Sequence, residues 1–199
     1  MRYAYEITDN AVPLQWIHSL LATWPALDQP IWHHYTSKNG IKHATKETKG
    51  LPIAAHTLLT FISKCNNQTH LHPFSFPDFD LYGAGLHEIP DKGFLTKHLD
   101  SDHIPHRKDW VRTFSTVLFL NEVDGGELVL HNIDNESIVI QPKKNRLVTF
   151  ECTDETYHEV LPVQSKQSVY MPEPRRTLSL FWWRIDHTHK PKRSSAIFC

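Results

Sequence analysis

The chain has 199 residues, 40% hydrophobic and 22% charged, with six tryptophans and a formal net charge of -1. That length allows one domain with a real core and leaves little room for a second, and the composition excludes a disordered chain. The near-neutral charge gives no general pull toward nucleic acid or an anionic membrane.

The opening residues "MRYAYEITDN" lack the apolar core of a signal peptide, and no apolar run approaches the roughly 18 residues of a membrane span. Cys65, Cys152 and Cys199 are odd in number and show no C-x-x-C spacing, which argues against a disulfide framework and a structural zinc site. The expectation is a cytoplasmic protein with no membrane or nucleic-acid partner.

From Val12 to Trp24, Leu14, Ile17, Leu20, Leu21 and Trp24 recur at helical spacing between Pro13 and Pro25, which predicts an amphipathic helix. Residues 33–50, "HHYTSKNGIKHATKETKG", are polar and read as a loop, with Lys-Asn-Gly as a turn able to join two short strands. "LPIAAHTLLTFISKC" then places Ile53, Leu58, Leu59 and Ile62 on one face behind a proline, predicting a second helix.

After the connector "HPFSFPDFD" the apolar runs become short, β-branched or aromatic, and bounded by turn residues. Eight strands are predicted, in "LYGAGLHEI", "FLTKHLD", "RTFSTVLFLN", "GELVLHN", "SIVIQP", "NRLVTFEC", "YHEVLPV" and "RTLSLFWWRI". Gly125-Gly126, Asp134-Asn135 and Lys144-Asn145 mark turns between them. Strands at this spacing suggest a closed barrel or jelly roll, which hides sheet edges. The predicted organisation is a single domain over 1–199: a helical N-terminal support region (1–80), a β core (81–187) and a solvated tail (188–199).

One stretch, "TKHLDSDH", holds His98-x-Asp100. In a chain with 15 histidines about one such pair is expected by chance, so the motif needs context. On an extended strand residues i and i+2 point to one face, and His158, at the start of the later strand "YHEVLPV", is a third candidate. Two imidazoles and one carboxylate form the facial set typical of non-haem Fe(II), with positions left open for chemistry.

The blocks "GLHEIPDKGFLTKHLD", "LFLNEVDGGELVLHN", "KKNRLVTFECTDETYHEVLPV" and "RRTLSLFWW", in that order from about Leu81 to Trp183, resemble the Fe(II)/2-oxoglutarate dioxygenases, in their prolyl 4-hydroxylase-like branch. The resemblance implies a mainly β protein with N-terminal helices (α+β), built on a double-stranded β-helix of jelly-roll, cupin-like form. It further implies that His98, Asp100 and His158 are the catalytic ligands of Fe(II), with 2-oxoglutarate and O2 as cosubstrates and ascorbate as a candidate auxiliary reductant. Family members pair the far carboxylate of oxoglutarate with an arginine on the last barrel strand, where a planar fork suits both oxygens.

Two arginines compete for that role. Alternate residues from Arg175 are Thr177, Ser179 and Phe181, a small and polar face suited to a cosubstrate. From Arg176 they are Leu178, Leu180 and Trp182, suited to packing against the helices. Arg175 is therefore expected to anchor oxoglutarate beside Thr177, with Arg176 as the fallback. Many relatives carry a tyrosine where this chain has Phe119, so Ser115 or Thr113, on the same predicted face, are candidates to replace its hydroxyl. His87 and Phe119 are expected to line the substrate space, and the longer segment "QSKQSVYMPEP" is a candidate lid. His103, His106, Arg107 and Lys108 read as a solvated loop ahead of an anion site.

Hydroxylation of peptidyl proline is the substrate class the resemblance suggests, with free amino acids and other small metabolites open. The rival from another class is a non-catalytic, cupin-like metal or ligand sensor.

Overall fold

The computed structural model describes residues 4–45, 50–66, 74–78, 81, 83–131, 136–164, 173–188, 190–193 and 195–199. The two predicted helices form as α1 (Leu14–Ala22) and α2 (Ile53–Asn66). Ile17 and Leu20 of α1 and Ala55, Leu58 and Ile62 of α2 are buried in one core, each such aliphatic chain larger than alanine contributing about 1.5–3 kcal/mol. Trp16 meets Phe61 edge-on with ring centroids 5.1 Å apart, joining the helices to each other.

The strands are β1 (Tyr5–Asp9), β2 (Trp32–Ser37), β3 (Gly40–Thr45), β4 (Phe76–Pro77), β5 (Gly85–Ile89), β6 (Leu95–Leu99), β7 (Trp110–Phe119), β8 (Asp124–Gly125), β9 (Leu128–His131), β10 (Ser137–Ile140), β11 (Arg146–Glu151), β12 (Tyr157–Val160), β13 (Val163–Gln164), β14 (Arg175–Ile185) and β15 (Ile197–Phe198). All eight predicted runs contain a strand. The main sheet follows the order β1-β11-β7-β14-β5-β3-β6-β12-β9-β10, the jelly roll of a double-stranded β-helix. Leu178, Leu180 and Trp182 on one face of β14 share the helices' core. That face is therefore closed, and the barrel interior is left to the other.

Three departures from the sequence reading shape the site. First, the region before residue 81 is not only helical. β1 pairs with β11, and because all five of its residues are exposed it carries no buried face for a pattern to reveal. The segment read as a loop takes its alternative form, the hairpin β2–β3 about Lys-Asn-Gly, and β3 enters the barrel between β5 and β6. Gly40 permits that approach, since a Cβ there would stand 2.6 Å from Leu95 Cδ2 and 2.8 Å from the Phe94 carbonyl.

Second, the tail is not simply solvated. β15 pairs with β6 at Leu99 and His98, and buried Arg193 donates from its backbone N–H to Asp102 Oδ1 (2.9 Å) and from Nε to the Asp100 carbonyl (3.1 Å). Composition alone hides this because the segment's few apolar residues act through backbone pairing. The loop that follows β6 changes with it: Ser101, Asp102 and His103 are buried, and His103 Nδ1 lies 2.6 Å from Asp102 Oδ1.

Third, β7 carries a bulge against β14. Phe114 pairs with Trp182 and Arg112 with Trp183, leaving Thr113 as the extra residue. A bulge resets strand parity and re-aims side chains. The proposed lid falls mostly on 165–172, and the Asp134-Asn135 turn on 132–135, both outside the described residues.

Candidate active site

His98 in β6 and His158 in β12 are direct partners across an antiparallel pair, so their rings leave the sheet on one face, with centroids 4.2 Å apart. Asp100 follows one residue past the end of β6 and returns to that face. Its Oδ1 is 3.8 Å from His98 Nε2 and 3.9 Å from His158 Nε2. One ligand atom from each of the three lies within 4.8 Å of the others.

The donor set fits a divalent iron. His98 Nδ1 is 2.8 Å from the Thr96 carbonyl, which can only accept, so Nδ1 carries the proton and the Nε2 lone pair faces the gap between the ligands. Burial, and then the neighbouring His158, pulls His98 down to about 3, and burial also lowers His158. Both rings are therefore in the neutral form that binds metal. For Asp100, burial pushes the carboxyl up, but Arg112 followed by His158, His98 and Lys42 outweighs it and holds the group below the usual carboxylate range.

Arg112 organises this carboxylate. Its Nη1 lies 3.0 Å from Asp100 Oδ2 and its Nη2 donates to Ser101 Oγ at 2.9 Å, while the guanidinium stacks over Phe181, 3.6 Å from the ring centroid. Oδ2 is thus occupied and Oδ1 is left facing the histidines. Sequence parity placed Thr113 on the cavity face, as a candidate to replace the absent tyrosine hydroxyl. The bulge turns Thr113 away, where its Oγ1 donates to the Trp182 carbonyl at 3.1 Å, and brings Arg112 to the cavity instead.

The triad opens on a cavity of about 210 Å³, also lined by Lys42, His87, Ser115, Arg175 and Thr177. Arg175 is buried. Its Nε donates to the Gly126 carbonyl at 2.8 Å, its guanidinium lies 4.8 Å from the Phe119 ring centroid, and burial pulls it down to about 10. Among the described residues neither terminal nitrogen has a hydrogen-bond partner and no carboxylate pairs with the group, which suits it to an anion. Gly126 is required here, because its φ is +65° and a Cβ would meet Arg175 Cδ at 2.9 Å.

Arg176 points the other way. Its Nε donates to Glu88 Oε2 at 2.8 Å, and the same oxygen accepts from Trp24 Nε1 at 2.8 Å. Phe119 is a correction: it is fully buried, supports Arg175 from beneath and does not line the cavity. His87 does line it. Its Nε2 lies 3.2 Å from the Gly83 carbonyl, and burial, then Lys42, lowers it to about 3.

Sequence reasoning missed Arg112 and Lys42. A bulge leaves no local signature that could have found the first. The Lys-Asn-Gly turn signalled the hairpin that carries Lys42, but nothing local placed its second strand in the barrel.

A family model described as the 2OG-Fe(II) oxygenase superfamily matches residues 84–184, just over half the chain. Among solved structures, a Pseudomonas putida prolyl-4-hydroxylase aligns with TM-score 0.64 and 22% identity, covering 93% of this chain and 94% of that one. The viral collagen prolyl hydroxylase of Paramecium Bursaria Chlorella virus-1, in a 2OG complex, gives 0.62 and 16%, over 91% and 96%. The non-heme alpha-ketoglutarate-dependent epimerase of nogalamycin biosynthesis gives 0.70 and 12%, over 97% and 80%. At these identities the likeness speaks for the fold. No curated protein sequence matches the chain.

Proposed function

Because this chain belongs to the 2OG-Fe(II) oxygenase superfamily and is an Fe(II)/2-oxoglutarate-dependent dioxygenase, we propose that it hydroxylates an aliphatic C–H bond of an amino-acid-type substrate, free or peptide-borne. His98, Asp100 and His158 are the iron ligands in this reading and Arg175 anchors oxoglutarate. The observation that carries it is one cavity joining three convergent metal donors to a buried guanidinium that has no carboxylate partner among the described residues. The similarity to prolyl hydroxylase structures supports the substrate type.

When bound, iron with oxoglutarate and O2 supplies the oxidising chemistry, with ascorbate as auxiliary reductant. The chain's own residues hold and orient. The Thr96 carbonyl fixes the His98 tautomer, and Arg112 fixes the rotation of Asp100. Arg175, locked by Gly126 and Phe119, presents a preformed fork to the far carboxylate of oxoglutarate. The Ser115 and Thr177 hydroxyls add donors where the family's tyrosine is absent.

The test is succinate release from oxoglutarate by the purified chain with Fe(II) and ascorbate, across peptides and free amino acids. Turnover stimulated by a substrate of this type is expected. Iron binding with no succinate from any candidate would instead favour the sensor reading.

A further inference from the structure

One cavity charge has no role in the reading above. Lys42, in β3, is half-buried and lines the same cavity. His43 and Ala44 pair with Glu88 and His87 of β5, and Ile89 of β5 pairs with Arg175. Carrying the β3–β5 register on by one residue sets Lys42 opposite Ile89, on the face that Arg175 presents to the cavity.

The two cations serve separate places. Arg175 leans over Phe119 and is fastened to Gly126, toward the β7 side of β14. Lys42 lies beyond β5, on the other side of β14, roughly 10 Å away at the backbone given the spacing of strands. One is committed to the cosubstrate end, while the other faces free space.

Charge identifies what that space takes. Among the described lining residues are three cations, Lys42, Arg112 and Arg175, and one acid, Asp100. Asp100 is engaged by Arg112, and no carboxylate among the described residues pairs with Lys42. The opposite charges of Fe(II) and oxoglutarate cancel, so the loaded site keeps an excess of positive charge. Burial lowers Lys42 below the ordinary lysine value; the Asp100 carboxylate opposes this, and Arg112 and Arg175 add to it. An ammonium left this way is costly, and an anion across from it would remove the cost.

Size and access narrow the class. About 210 Å³ is below the ~300–1,000 Å³ of clefts for drug-sized ligands. The edge of β6 at His98 and Leu99, where an extended peptide could add as a strand, is already paired with β15. Phe198 stacks on the His98 ring with centroids 5.1 Å apart.

Resting on the triad and Arg175 as metal and cosubstrate site, we infer that Lys42 determines specificity by binding the carboxylate of a small substrate, so that free acids are taken and internal peptide residues are not.

The test uses the full chain loaded with Zn(II), which is redox-inert, and oxoglutarate, so that binding is read without turnover. Calorimetric titrations compare free L-amino acids and short aliphatic carboxylic acids with their carboxamides, and peptides ending in a free carboxylate with the same peptides amidated. At least one small acid is expected to bind about tenfold or more tightly than its amide, the scale of a charge-assisted contact. Lys42→Met should erase that preference and Lys42→Arg retain much of it, with oxoglutarate affinity within about twofold of wild type. Thermal melts verify that both variants fold, and the acid–amide comparison on the wild type does not depend on either.

Equal binding of acids and amides overturns the inference. So does binding confined to peptides, or a Lys42→Met variant that loses oxoglutarate rather than acid. Failure of oxoglutarate to bind the wild-type chain sinks the cosubstrate reading and this inference with it, whereas oxoglutarate binding without any acid preference sinks the Lys42 inference alone.

Discussion

Arg175 and Arg176 are neighbours in β14 and chemically identical, yet they face opposite environments. Arg176 meets Glu88, which also accepts from Trp24 of the helical layer, so its charge is answered from within the chain and ties the barrel to its support. Arg175 is more deeply buried, is held by a carbonyl and an aromatic ring, and has no carboxylate among the described residues. A satisfied ion pair indicates structure. A buried, pre-oriented and unanswered guanidinium in a cavity indicates a ligand.

The comparison can be broken in several ways. The largest effect should come from the cavity floor: Asp100→Asn is expected to lower Fe(II)-dependent succinate formation by about 100-fold or more, since even outer partners of a metal site cost 10–100-fold. Activity close to wild type in the folded variant would remove Asp100 from the ligand set. Next, Arg175→Lys keeps the charge but loses the fork, and should raise the KM for oxoglutarate about 10–100-fold, the value of one or two charge-assisted hydrogen bonds. An unchanged KM would move the anchor elsewhere.

Arg176→Met should do the reverse. Among the described residues it leaves Glu88 with only the indole donor, so urea denaturation should show a loss of about 1–3 kcal/mol, while the KM for oxoglutarate stays at the wild-type value. The smallest effect concerns His87. Burial depresses its folded value to about 3, against about 6.5 in an unfolded chain. Between those values the unfolded state binds more protons, so this group's contribution to stability is present above pH 6.5 and is lost as pH falls toward 3. His87→Gln should therefore shrink the drop in urea midpoint between pH 7.5 and pH 5, and an undiminished drop would assign it to other buried histidines.

Much of the site was readable because short-range rules suffice for it. His98 and Asp100 share a face through i, i+2 spacing, and the alternation along β14 separates Arg175 from Arg176. The same counting failed on β7, where one unpaired residue at Thr113 reverses the parity and exchanges a threonine for Arg112. It failed again for Phe119, whose inward direction was right but whose ring is covered by Arg175. Lys42 was hidden for a different reason: a polar hairpin shows no alternation of apolar residues, so nothing local says that β3 is a barrel strand.

The sequence by itself determined which residue types stand on which side of each strand, the two amphipathic helices, and the order of blocks that resembles one oxygenase superfamily. Only the tertiary structure decided that β3 enters between β5 and β6, that β15 lies along β6, and that a bulge delivers Arg112 to Asp100. Side-chain alternation is a property of a few consecutive residues, whereas strand adjacency and bulges come from pairing distant segments, where backbone hydrogen bonds are nearly blind to sequence and packing makes the choice.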